Sequence, residues 1–219
     1  MGQNNNNVVR FKEMFLSFDI DSIKGKAESL LKDGILPSEI LGICQSCMEE
    51  IGKKFETGDY YLPELVVSGE MFKQVSSALR PFITTSEVQR KGRIVIGTPK
   101  GDIHSLGKDI FRTLAEASGF DVYDLGIDVP PEAFIQKLDE TQAPVLGMSA
   151  LLTTAYAPMQ EVIELLEKKA CRDQTFVILG GGATTKDIAK RLRADAQTWD
   201  AYEGLKIIES YFEKHGVKK

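Results

Sequence analysis

Apolar residues recur at three- and four-residue steps from Phe11 to about Phe82, the period of helices that bury one face. Ile20, Ile23, Ala27, Leu30 and Leu31 form one stripe, and Gly34 follows Lys32-Asp33 as a C-cap. Pro37 opens a second helix, with Ile40, Leu41, Cys44, Cys47, Met48, Ile51 and Phe55 on one face, and Gly58 breaks it. Pro63 opens a third, with Leu65, Val66, Met71, Val75 and Leu79 apolar before Pro81. A weaker helix over Phe11 to Phe18 completes the pattern of a small four-helix bundle. One layer of about 70 residues has a meagre core and is expected to lean on something else.

After Thr84 the period changes, and short β-branched runs alternate with helical stretches. Strands are expected at Arg93 to Gly97, Asp121 to Leu125, Val145 to Ser149 and Phe176 to Leu179, with a weak fifth near Ala196 to Thr198. Helices are expected at Leu106 to Ser118, Pro131 to Leu138, Ala157 to Lys169, Thr185 to Leu192 and Ala201 to Lys214. This alternation implies right-handed crossovers and an open parallel sheet covered on both faces. The polar segment Thr85 to Lys91 marks the boundary. The expected organisation is a disordered asparagine-rich tail over 1–10, a helical bundle over 11–84 and an α/β domain over 92–219.

Composition acts mainly by exclusion. With 42% hydrophobic and 27% charged residues the chain is neither disordered nor fibrous. A net charge of −5 argues against a nucleic-acid footprint. The longest apolar runs, such as Val145 to Met148, fall far short of the ~20 residues of a membrane span. Met1-Gly2 begins a myristoylation pattern that fails at Asn6. Three cysteines and the lack of a signal-peptide pattern point to a reducing, cytoplasmic setting.

In open parallel sheets ligands bind at the carboxyl ends of the strands. There the loop after the first strand carries Asp102 and His104 between Gly101 and Gly107. Glycines permit close approach of a bulky ligand, and a neighbouring carboxylate fixes a histidine tautomer and strengthens it as a metal donor. One histidine cannot build a zinc site, but a metal already held by a macrocycle needs only one axial ligand. Gly180, Gly181 and Gly182 match neither the P-loop nor the dinucleotide fingerprint. They read as a turn that would also let a long ligand tail pass between strand and helix.

Together these pieces resemble the cobalamin-binding corrinoid proteins of methyltransferase systems, related to the cobalamin module of methionine synthase. The family pattern is Asp-x-His-x-x-Gly, about 41 residues, Ser-x-Leu, 26 to 28 residues, then Gly-Gly. Here Asp102-Ile103-His104-Ser105-Leu106-Gly107 is followed by 41 residues, Ser149-Ala150-Leu151, 28 residues and Gly180-Gly181. In the helical half, Phe55-Glu56-Thr57-Gly58-Asp59-Tyr60-Tyr61-Leu62-Pro63-Glu64-Leu65 is similar to the family's Phe-Glu-x-Gly-x-x-Phe/Tyr-Leu-Pro-Glu-Leu segment.

The resemblance implies an N-terminal four-helix cap on a Rossmann-like, flavodoxin-like domain that binds cobalamin. His104 would be the lower axial ligand to cobalt, replacing the cofactor's own benzimidazole, with Asp102 on its other ring nitrogen. Gly101, Ile103, Ser105 and Gly107 would shape that loop. Ser149, Leu151 and Thr153 would line the pocket for the nucleotide tail, with Gly180, Gly181, Gly182 and Ala201 around it, and Tyr61 and Leu62 would cover the upper face. In methionine synthase a serine extends the histidine–aspartate pair. Ala155 stands at that position here, so either Thr153 or Thr154 substitutes or the relay stops at Asp102.

The implied function is a non-catalytic methyl carrier. It would be loaded on cobalt by a substrate-specific methyltransferase using methanol, methylamines or, in an O-demethylase system, methyl ethers. An acceptor methyltransferase would unload it to tetrahydrofolate or a thiol, and a reductive activase would serve it. No nucleic-acid or membrane partner is expected, and a homodimer is left open. The competing readings are a cobalamin-dependent regulator, which the absence of a basic stripe before Phe82 disfavours, and the cobalamin subunit of an isomerase. Cys44 and Cys47 read as core residues, His215 as a solvated helix end, Trp199 as core or rim packing, and Glu49-Glu50 with Lys53-Lys54 as a solvated face.

Overall fold

The computed structural model describes residues 2–82 and 90–216, with side chains from residue 6 onward. Residues 83–89, which hold most of the expected linker, lie outside the described set. Two compact units emerge, Met1–Arg90 with Ala117–Gly119 and Lys91–Glu116 with Phe120–Lys219.

The first unit is a bundle of α1 (Gly2–Leu16), α2 (Ile23–Lys32), α3 (Pro37–Glu56) and α4 (Leu62–Leu79). Its core is built from the stripes seen in the pattern: Ile23, Ala27 and Leu30 from α2, Ile40, Cys44, Cys47 and Ile51 from α3, and Met71, Val75 and Leu79 from α4. Phe11 and Phe15 of α1 are fully buried among the bundle's apolar residues. The helix spans Gly2–Leu16, longer than the Phe11 to Phe18 stretch that the apolar pattern marks out. A tertiary tie outweighs the polar composition here. The Asn7 amide donates to Asp33 Oδ2 at 2.9 Å, and its carbonyl accepts from Lys26 Nζ at 2.8 Å, both on or next to α2.

At the start of α4, Glu64 reaches back to accept the Tyr61 N–H at 2.9 Å, half of a capping box, and this sets the chain's entry into the helix.

The second unit alternates β1 (Gly92–Gly97), α5 (Leu106–Ala117), β2 (Phe120–Asp124), α6 (Pro131–Thr141), β3 (Val145–Ser149), α7 (Tyr156–Lys168), β4 (Phe176–Gly180), α8 (Lys186–Leu192), β5 (Ala196–Thr198) and α9 (Ala201–His215). All strand pairs are parallel, in the order β2-β1-β3-β4-β5. This is the flavodoxin-like winding, whose strand order reverses between β1 and β3.

On one face Val95, Leu146, Met148, Val177 and Leu179 pack with Phe134, Met159, Val162, Ile163 and Leu192 from α6, α7 and α8. On the other, Phe212 of α9 lies where a side chain on Gly92 would stand, 2.3 Å from that Cβ position, and stacks obliquely on Phe120 with centroids 5.3 Å apart. Among the described residues no helix is long and apolar enough to cross a membrane.

Burial drives the Cys44 thiol far above its ordinary range and raises that of Cys47 to about 11. Alkylation requires the thiolate. At pH 8 the native protein should therefore take up iodoacetamide at the half-buried Cys171 alone, and at all three cysteines once denatured. Mass spectrometry of labelled Cys44 or Cys47 peptides from native protein would show that the bundle core opens.

Candidate functional site

The site grows from the loop between β1 and α5. Thr98, fully buried, donates its N–H to the Gly126 carbonyl at 2.9 Å and its Oγ1 hydroxyl to the His104 carbonyl at 3.2 Å. Gly101 follows in the left-handed region at φ +87°, and its N–H donates to Asp128 Oδ1 at 2.8 Å. Asp128, itself at φ +52°, returns its N–H to the Asp102 carbonyl at 3.0 Å. From the other side Thr154 donates its hydroxyl to the Gly101 carbonyl at 3.1 Å. The loop is thus held by the connections after β2 and after β3 at once.

At its centre the Asp102 carboxylate is wholly buried. Oδ1 accepts the His104 N–H at 2.9 Å and meets His104 Nδ1 at 2.7 Å. Oδ2 accepts the backbone N–H groups of Leu151 at 2.6 Å and Leu152 at 2.9 Å. Burial pushes the carboxyl upward, but the N–H groups of His104, Leu152 and Leu151 outweigh it and hold the group below the usual carboxylate range. An ionised carboxylate only accepts, so Nδ1 must carry the ring proton. In the neutral ring that leaves Nε2 as a bare lone pair on a side chain 46% exposed. The arrangement is a fixed, outward-facing nitrogen donor.

Next to this loop a cleft of about 90 Å³ runs along the carboxyl edge of the sheet, on the α5 and α9 side. Gly107, Gly147, Gly180, Gly181 and Gly204 all line it, so much of its space is side chain that the sequence omits. Gly181 is constrained most. It sits at φ +95°, and a Cβ there would fall 2.3 Å from the Ala150 carbonyl oxygen.

The sequence-predicted residues divide accordingly. Gly101, Asp102, Ile103, His104 and Ser105 share the first loop, with Ile103 exposed. Gly107, Ser149, Gly180, Gly181 and Ala201 line the cleft. Leu151 joins through its backbone to Asp102, and its side chain lies 3.0 Å from a Cβ position on Gly182. Thr153 stands exposed in a short 3-10 turn, outside the cleft lining. Tyr61 and Leu62 belong to the helical unit, exposed at the start of α4. Ala155 is fully buried and Thr154 is spent on Gly101. Among the described residues no hydroxyl reaches the carboxylate, and the hydrogen-bond chain ends at Asp102.

Several residues went unnoticed in the sequence. Lys108 is almost completely buried at the cleft wall, donating to Asp109 at 2.8 Å and Asp124 at 2.6 Å. Phe111, one turn further along α5, lines the same cleft and lies 3.6 Å from a Cβ position on Gly204 of α9. Their three-residue spacing is the signal that could have found them. Thr198 and Asp200 line the cleft from the β5–α9 connection, on either side of Trp199, which the sequence marks as core or rim packing.

Comparison with known proteins settles the family. Residues 92–207 match the family described as "B12 binding domain", and residues 9–80 match a second family of the same description. The chain belongs to the cobalamin-binding corrinoid proteins. It is 34% identical over 207 residues to the trimethylamine corrinoid protein of Methanosarcina barkeri, covering 93% of this chain and 95% of that one. Among solved structures, a cobalamin-binding protein from Desulfitobacterium hafniense DCB-2 is similar with a TM-score of 0.71 and 30% identity, over 93% of this chain and 98% of that one. A chain of the methanol:cobalamin methyltransferase complex of Methanosarcina barkeri matches with a TM-score of 0.85 over 95% of this chain and 80% of that one. At 21% identity the last likeness speaks for the fold alone. The corrinoid protein's fold class and its cobalamin cofactor thus agree with the expectation from its motifs.

Removing the buried carboxylate strands the Leu151, Leu152 and His104 N–H groups. Asp102→Ala should cost the cofactor-free protein about 2–4 kcal/mol. His104→Ala, which removes one of the carboxylate's four donors and leaves the backbone ones in place, should cost less, about 1–2 kcal/mol. Urea denaturation of both variants checks this. Equal midpoints would mean that Asp102 serves the histidine alone and does not hold the two loops.

Proposed function

We propose that the chain is the methyl-carrying component of a corrinoid methyltransferase system, with His104 as the protein's ligand to cobalt. The observation that carries the proposal is the bare Nε2 of His104, fixed by the buried Asp102 beside a glycine-walled cleft at the sheet's switch edge.

The residues present fit a corrinoid. The half-exposed imidazole offers one axial nitrogen. The cleft's glycine-rich lining, with Gly107, Gly147, Gly180 and Gly204 among its residues, supports its assignment to the nucleotide tail. Ser149, Gly107, Gly180 and Ala201 are assigned to that tail's surroundings, with Thr153 and Gly182 at its outer margin. Tyr61 and Leu62 are assigned to the cofactor's cover, a role supported by a large exposed ring and an exposed aliphatic side chain at one helix start. When bound, the corrinoid supplies a cobalt centre able to take up and give up a methyl group.

The chain's own part is positional. Asp102 keeps the ring proton on Nδ1, the bonds to Thr98, Asp128 and Thr154 keep the loop in place, and the cleft selects the orientation. The donor is drawn from the methylamines, methanol and methyl ethers, and the relative named for trimethylamine favours the first. The acceptor, reached through a second methyltransferase, is tetrahydrofolate or a thiol. A reductive activase completes the set, and the three free cysteines suit a cytoplasmic setting.

Electron paramagnetic resonance of cobalt(II)-cobalamin bound to protein labelled with 15N-histidine tests this reading. Coupling to a protein nitrogen is expected, and it should vanish in His104→Ala while the corrinoid stays bound. Coupling to the cofactor's own benzimidazole nitrogen in the wild type would overturn it.

A further inference from the structure

The tail assignment leaves Trp199, the chain's single tryptophan, without a role. It stands between β5 and α9 and lines the cleft, yet remains 70% exposed. An indole that open is normally mobile or buried against something. This one is fixed. Its Nε1–H donates to the Thr184 carbonyl, at the far end of the glycine turn after β4. The same carbonyl also accepts from the Gln197 amide at 3.2 Å, and that amide meets Thr184 Oγ1 at 3.2 Å. Gln197 therefore ties the turn to β5 by two contacts of its own, besides the one from the indole.

Apart from Ser149, the other polar side chains around the cleft are already engaged. Lys108 is held by Asp109 and Asp124. The Thr198 hydroxyl donates to Glu203 and accepts from the Asp200 N–H at 3.0 Å, while Asp200 caps α9 by accepting the Glu203 N–H at 2.8 Å. What the cleft offers a ligand is mainly apolar: glycine backbone, the Phe111 ring and the open indole, with the Ser149 hydroxyl as a polar addition. Such a lining suits a flat, largely apolar ring system.

We infer that Trp199 is a specificity-determining residue that packs on the tail's base and selects corrinoids ending in a planar aromatic base. The inference rests on the tail assignment above. Stacking of a base on an aromatic side chain is worth enough to change affinity roughly five- to hundredfold.

Calorimetric titration of the cofactor-free full chain with cobalamin and with cobinamide, which lacks the nucleotide tail and its base, tests it. Wild type should bind cobalamin more tightly. Trp199→Ala should lose about tenfold or more of that preference, with cobinamide affinity unchanged. Trp199→Phe, which keeps a ring but not the N–H, should retain most of it, and cofactor-free melting should stay the same in both variants. If wild type bound both corrinoids equally, the tail assignment itself would fail. If wild type preferred cobalamin and Trp199→Ala kept the preference, that assignment would stand and the role of Trp199 would fall. If Trp199→Phe weakened both corrinoids as Trp199→Ala did, or if both variants melted early, Trp199 would be a brace for the glycine turn and the inference would be wrong.

Discussion

One buried carboxylate organises this protein's working edge. Asp102 sits where the strand order reverses, between the ends of β1 and β3, and its four N–H donors come from both loops. A buried charge is costly unless every lone pair finds a donor. Here the cost is offset by pulling the chain after β3 onto the loop after β1. The same bonds that make the carboxylate tolerable also define which histidine nitrogen faces outward. Fold and ligand presentation therefore rest on the same carboxylate.

The cleft beside it is built the opposite way, by leaving atoms out. Gly147 lies in the middle of a central strand, where a Cβ would come 3.2 Å from Ile96, and Gly204 sits on α9 where a Cβ would come 3.3 Å from Thr198. Glycine in such places weakens strand and helix. The corresponding gain is an open slot between sheet and helices. Lys108 shows how the slot's wall is kept rigid. Its ammonium group is buried between two carboxylates, which fixes the start of α5 to the end of β2.

The switch from a period near 3.6 to short alternating strands made both halves legible, down to a three-residue β5 at Ala196–Thr198. The pairing of Asp102 with His104 was legible because the two are local, separated by a single residue. What escaped was non-local or carried by backbone. The N–H groups of Leu151 and Leu152 have no side-chain signature, and they lie 49 and 50 residues from the carboxylate they serve. Lys108 reads as a surface charge until Asp124 is brought to it. Helix α1 runs through a stretch of asparagines because Asn7 finds partners on and beside α2, which no periodicity announces. Thr153 lies exposed in the short 3-10 turn that directly follows Leu152.

The claim on which everything else depends is that Asp102 holds the ring proton of His104 on Nδ1 and so presents Nε2 bare. Nitrogen-15 NMR of the imidazole in cofactor-free protein reads this directly, with His104→Ala assigning the signals against His215. The structure predicts that the neutral ring carries its proton on Nδ1 and shows an Nε2 shift characteristic of an unprotonated ring nitrogen, with a mixture of tautomers in Asp102→Ala. A neutral wild-type ring with its proton on Nε2 would contradict it.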